Sequence, residues 1–196
     1  MKKIFSFSSL LANFTHWILA IAFVITLIPY DMHLIFHYPD ERYYSDGAIK
    51  MLKTGNYLTP RTMENELRLK KPPLPYWMSV AGMKLFGISI LGSRFFWLIA
   101  AAATLLMTFY LSRILENNIS IARLATAILC GNVMFLRSAV NAIPDMPLTF
   151  FMLTSLCGFS GLLFKNDRPI FYATLAYVSA AFAILTKGLL PLVMVG

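Results

Sequence analysis

Four short polar segments stand out against an apolar background: Pro39-Asp40-Glu41, Lys70-Lys71-Pro72-Pro73-Leu74-Pro75-Tyr76-Trp77, Asn141-Ala142-Ile143-Pro144-Asp145-Met146-Pro147 and Thr186-Lys187-Gly188. Adjacent carboxylates at Asp40 and Glu41 can work as a general base, or hold a cation or a hydroxyl group. The same pair also reads as a helix start, with Asp40 as N-cap and Glu41 favoured by the helix dipole. The prolines after Lys70 and Lys71 remove backbone donors and fix the chain direction. The two ammonium groups are therefore presented rigidly, beside Tyr76 and Trp77. They suit a lipid phosphate, or serve as interfacial anchors within an aromatic belt. Asp145 is again either a helix cap or an acid facing a site.

The elements that carry these groups follow from composition. The chain has 196 residues, 58% of them apolar and 13% charged, with a mean hydropathy of +0.67. A soluble domain carries roughly 45–50% apolar and about 25% charged residues. So few polar side chains cannot cover a water-soluble globule, and the same numbers exclude disorder, collagen and disulfide scaffolds. The chain reads as an all-α membrane protein. Its formal charge of +8 is spread along apolar boundaries, as Lys and Arg are placed in membrane proteins, which argues against a nucleic-acid partner. Cys130 and Cys157 lie within apolar runs and read as small buried hydrophobes. His16, His33 and His37 have no ligand spacing, and Arg94, Arg123 and Arg137 read as snorkelling side chains near helix ends.

A spanning helix needs ~20 apolar residues. The first span is expected over residues 10–29; Lys2 and Lys3 place its start in the cytoplasm, and its length favours an anchor over a cleaved signal peptide. Residues 31–90 form a polar loop on the opposite side with two surface helices. One covers Glu41 to Thr54, with Asp40 as N-cap and Gly55 as stop. Its apolar stripe is Tyr44, Ala48, Met51 and Leu52. The other, Tyr76 to Phe86, is too short to span. Further spans are expected at about 94–112, 120–139, 147–164 and 170–186, with a partial one at 188–196, which makes about five complete spans and the start of a sixth. The chain stops partway through that apolar run and is expected to be the N-terminal portion of something longer. In this topology Asp40, Glu41, Asp145 and Lys187 all emerge on the non-cytoplasmic face. Lys187 then lies where positive charge is disfavoured, which strengthens a phosphate-binding role for it.

The order and spacing of these segments are more specific than any one of them. Pro39-Asp40-Glu41, a helix ending Lys53-Thr54-Gly55-Asn56-Tyr57-Leu58-Thr59-Pro60, Lys71-Pro72-Pro73, Leu85-Phe86-Gly87, Pro144-Asp145-Met146-Pro147 and Thr186-Lys187-Gly188 together resemble the bacterial branch of the protein O-mannosyltransferase-like glycosyltransferases. That branch includes the 4-amino-4-deoxy-L-arabinose transferases that modify lipid A. The resemblance implies a polytopic helical bundle of GT-C type, with residues 1–196 as the N-terminal part of its membrane domain. It implies a polyprenyl-phosphate-linked sugar as donor substrate, and lipid A, a glycan or a protein as acceptor, at the periplasmic face of the bacterial inner membrane.

By the same resemblance, Asp40 is the catalytic carboxylate, Glu41 supports it and Asp145 completes the outer site. Lys71, Lys187 and Tyr44 are expected to hold donor phosphate, together with Arg42, which lies one position before the place (here Tyr43) where relatives carry an Arg. Where many relatives have an acid before Lys-Pro-Pro, this chain has Lys70, so no metal is expected there. A non-catalytic lipid-binding or transporter-like protein, or an inactive gene fragment, would carry the same acids as helix caps and the same lysines as lipid anchors.

Overall fold

The computed structural model describes residues 7–33, 39–69, 71–165 and 167–189. Lys2, Lys3, His37, Lys70 and most of the expected partial span at 188–196 lie outside them. The described residues form eight helices: α1 (Phe7–His33), α2 (Pro39–Thr54), α3 (Leu74–Phe86), α4 (Ile90–Glu116), α5 (Ile119–Cys130), α6 (Val133–Ala139), α7 (Asp145–Phe164) and α8 (Pro169–Lys187). Strand-like pairing among them is confined to a single bridge, Arg61 to Leu67. The chain is an all-helical membrane protein.

Helix α4 is the centre of the bundle and packs against α1, α3, α5, α6 and α7. By length and composition α4, α7 and α8 can each cross a bilayer, and α1 carries a shorter apolar stretch at Phe14–Tyr30. The segment expected to be one span at 120–139 is instead broken. Helices α5 and α6 meet at 68° because Gly131 ends the first and the side chain of Asn132 accepts the Phe135 N–H at 3.0 Å to start the second. A side chain that caps a new helix in the middle of an apolar run is a defined cause for such a kink.

Helices α2 and α3, the two expected to lie on the membrane surface, pack against one another. Tyr44, Ala48 and Met51, the expected apolar stripe of α2, are buried with Tyr76, Val80 and Met83 of α3. Gly55 ends α2 in the left-handed region at φ +71°, where glycine is favoured, and donates its N–H to Met51 O at 2.9 Å. The capping expectation for the acids needs correction. Helix α2 begins at Pro39, so Asp40 lies inside its first turn. Helix α7 begins at Asp145 after Pro144, and no side chain caps it. Both acids are left pointing out of a helix start, where they still complement the dipole but keep their oxygens for other partners.

Helices α7 and α8 run side by side in close contact. A Cβ added at Gly158 would sit 2.4 Å from the backbone nitrogen of Ala176. Small residues that let two backbones meet are the usual means of holding helices together where lipid removes the hydrophobic drive. This packing sets the start of α7 beside the end of α8.

Candidate functional site

Glu41 is fully buried, and so is Arg94. Arg94 donates from Nε to Glu41 Oε1 at 2.5 Å and from Nη2 to Oε2 at 2.9 Å. Glu41 Oε1 also accepts the backbone N–H of Ala142 at 3.0 Å. One carboxylate thus joins α2, α4 and the segment leading into α7. The snorkelling expectation for Arg94 is corrected: its charge is turned inward and matched. Trp97, three residues further along α4, donates its indole N–H to Ile143 O at 2.8 Å. The hydroxyls of Ser45 and Ser93 lie 2.5 Å apart across α2 and α4. Together these bonds fix the heading of α2 and the position of Asp145. Glu41 is thereby closed off in the pair and holds the start of α2, on which Asp40 lies, and does not offer a second open carboxylate.

Asp40 itself is open, with its side chain 74% exposed and Arg68 Nη2 3.9 Å from Oδ1. Lys187 donates to Asp145 Oδ1, so an anion at the start of α7 meets a cation at the end of α8, each at the favourable pole of its helix. Tyr44 is buried one turn along α2 from Asp40. Burial pushes its phenol above the ordinary value of 10.0, Tyr76, Asp40 and Asp145 push it further, and Arg68 opposes them. The charges of Asp40 and Asp145 thus both act on this phenol. Tyr44 is a neutral hydroxyl at any physiological pH. The Tyr44 and Tyr76 rings lie 5.1 Å apart, and burial likewise raises the phenol of Tyr76.

The other expected phosphate ligands are placed differently. Lys71 is half-buried in the turn ahead of Pro72 and α3. Arg42 is exposed and pairs with Asp46, one turn on in α2, at 3.5 Å. Among the described residues no group of three His, Cys, Asp or Glu side chains gathers where a metal ion could be held.

Arg68 was not anticipated from the sequence. It ends a hairpin in which Thr62 N–H bonds Glu66 O at 2.9 Å and Arg68 N–H bonds Pro60 O at 2.9 Å, with Asn65 in the left-handed region at φ +72°. The available signal was the alternation Glu66-Leu67-Arg68-Leu69, which puts Arg68 on the face opposite its two leucines. For Arg94 the signal was an arginine among apolar residues; a charge at such a place requires a named partner.

Residues 14–196 match the dolichyl-phosphate-mannose-protein mannosyltransferase family. An uncharacterized protein of Aquifex aeolicus is 37% identical over 150 residues, covering 76% of this chain and 30% of that protein. The undecaprenyl phosphate-alpha-4-amino-4-deoxy-L-arabinose arabinosyl transferase 2 of Proteus mirabilis is 26% identical over 179 residues, covering 89% of this chain and 32% of the relative. Among solved structures, ArnT from Cupriavidus metallidurans in the apo state aligns with a TM-score of 0.76 at 23% identity over 90% of this chain and 34% of that one. The same enzyme bound to undecaprenyl phosphate aligns with a TM-score of 0.75 at 21% identity over 92% of this chain and 34% of that one. The fold is that of a membrane helical bundle of GT-C type. The chain belongs to the dolichyl-phosphate-mannose-protein mannosyltransferase family, and it spans about a third of the length of the curated relatives it matches.

Proposed function

We propose that the chain contributes the outer catalytic site of a membrane glycosyltransferase that moves a sugar from a polyprenyl-phosphate donor to an acceptor hydroxyl on lipid A, a glycan or a protein. The observation that carries this reading is the buried Glu41–Arg94 pair closed by the Ala142 amide, which ties the start of α2, where Asp40 lies, to the segment that leads into Asp145 and its partner Lys187. Asp40 orients the acceptor hydroxyl and takes its proton. The acceptor oxygen forms its bond to the anomeric carbon as the bond to the phosphate oxygen breaks, and the polyprenyl phosphate leaves with that electron pair. Lys71 and Lys187 offset the negative charge that grows on the leaving phosphate, and Tyr44 donates a neutral hydrogen bond to it. Asp145 holds Lys187 in place between turnovers. Lys70 stands where relatives carry an acid, and an ammonium group cannot ligate a cation, so transfer here proceeds without a metal at that position.

The reading places the site at the periplasmic face of the bacterial inner membrane, with the start of α1 in the cytoplasm. Undecaprenyl phosphate bound to ArnT supports the donor class. The test is sugar transfer from a polyprenyl-phosphate donor by the membrane-inserted protein. Asp40→Asn is expected to remove transfer by a factor of about 10²–10⁴, the range that a positioned acid or base supplies. Retained turnover would take Asp40 out of the mechanism. Cysteine-accessibility labelling at positions 40 and 145 tests the topology, and labelling from opposite sides would end the one-face arrangement.

A further inference from the structure

The cations around the site are not equally available. The ammonium of Lys187 is taken by Asp145, Arg94 by Glu41, and Arg42 by its helix neighbour Asp46. Arg68 differs from all three. Its guanidinium carbon lies over the Tyr43 ring, 3.7 Å from the centroid, and its side chain is 13% exposed. Its Nη2 approaches Asp40 only to 3.9 Å, beyond hydrogen-bond reach. The adjoining Nε is buried without a hydrogen bond of normal geometry, and the Tyr76 phenol, whose oxygen is likewise buried without a partner, is the hydroxyl on which Arg68 acts.

Nε and Nη2 form one edge of the guanidinium, the edge with which Arg94 grips both oxygens of Glu41. In Arg68 that edge is half-engaged. A buried donor without an acceptor is costly, and a guanidinium edge matches two oxygens of a carboxylate or phosphate.

We propose that Arg68, in addition to Lys71 and Lys187, recognises the phosphate of the lipid-linked substrate, and that it supplies the two-pronged grip. Its Nε–Nη2 edge takes two phosphate oxygens, and the loose approach to Asp40 is given up, leaving that carboxylate to the acceptor. This inference rests on the polyprenyl-phosphate reading of the site.

The test is equilibrium binding to the protein in lipid nanodiscs, using undecaprenyl phosphate, undecaprenol, and phosphatidylglycerol as competitor. Arg68→Gln is expected to weaken undecaprenyl phosphate binding by roughly tenfold or more, to leave undecaprenol binding unchanged and to flatten the salt dependence. Arg68→Lys, which keeps the charge without the two-toothed edge, is expected to recover part of the loss. The hairpin is closed by backbone bonds from Thr62 and Arg68, which neither variant removes. Arg68→Gln binding undecaprenyl phosphate as the parent does would overturn the proposal, and so would an equal loss for undecaprenol, which marks a structural role. Phosphatidylglycerol competing as well as undecaprenyl phosphate would assign Arg68 to bilayer lipid instead of the carrier. Failure of the unmodified protein to bind undecaprenyl phosphate would overturn the functional reading itself, and this inference with it.

Discussion

Glu41 and Arg94 form a two-pronged ion pair from which solvent is wholly excluded, and the amide of Ala142 closes it from a third segment. Removing one member of a buried pair leaves an unmatched charge and costs about 3–5 kcal/mol. Glu41→Ala and Arg94→Ala are each expected to lower the thermal unfolding midpoint sharply in detergent. The apolar double replacement Glu41→Leu with Arg94→Met is expected to be milder than either. A single variant as stable as the parent would show that the pair does not hold α2 to α4.

Lys187 and Asp145 present the opposite case, since their side chains are 29% and 51% exposed. An ion pair open to solvent is worth about 1 kcal/mol or less. Lys187→Gln and Asp145→Asn are expected to shift the unfolding midpoint little, while Lys187→Gln raises the KM for the polyprenyl-phosphate donor. Unchanged kinetics with a large loss of stability would make Lys187 a structural residue.

Close packing of α7 on α8 depends on Gly158. Because a Cβ there would lie 2.4 Å from Ala176 N and 2.7 Å from its Cα, backbone must move to admit any side chain. Gly158→Val is expected to destabilise the bundle by roughly 1–3 kcal/mol, the usual cost of overpacking, and to cut transfer by displacing Asp145 from Lys187. Full activity in this variant would separate the helix contact from the site.

Alkaline pH reports on the buried phenols. Tyr44 and Tyr76 have raised pKa values in the folded chain, chiefly from burial. The folded state therefore holds their protons more tightly than the unfolded state does. That stabilising contribution is fully present below the ordinary phenol value of 10.0 and is lost as pH rises above it toward the raised value. Unfolding midpoints measured from pH 8 to pH 11.5 are expected to fall across the upper part of that range. Tyr44→Phe is expected to make the fall shallower, and an identical profile would show that Tyr44 titrates normally.

Much of this architecture is legible in the chain because apolar runs and their interruptions obey short-range rules. Helix α2, its buried stripe of Tyr44, Ala48 and Met51, and its end at Gly55 all follow from local periodicity and one glycine. The break between α5 and α6 did not show through, because hydropathy averages over about 20 residues and Asn132 is a single polar atom pair within it. The role of Glu41 was hidden for another reason. Its partners, Arg94 and Ala142, are remote in sequence, and only the assembled bundle brings them within reach. Arg68 escaped notice because a short hairpin offers too few residues for its alternation to stand out. Asp40, Asp145 and Lys187, in contrast, were singled out by the order and spacing of the short motifs that hold them, since each alone reads equally well as a helix cap or a boundary charge.

The apolar stripe of α2 has a practical corollary. Tyr44, Ala48 and Met51 are covered by side chains of α3, so the shelf that carries the acids owes its shape to protein rather than to acyl chains. Extraction into mild detergent strips lipid from the rods of the bundle while leaving that shelf its own internal glue, and loss of activity on solubilisation would then point to the rods.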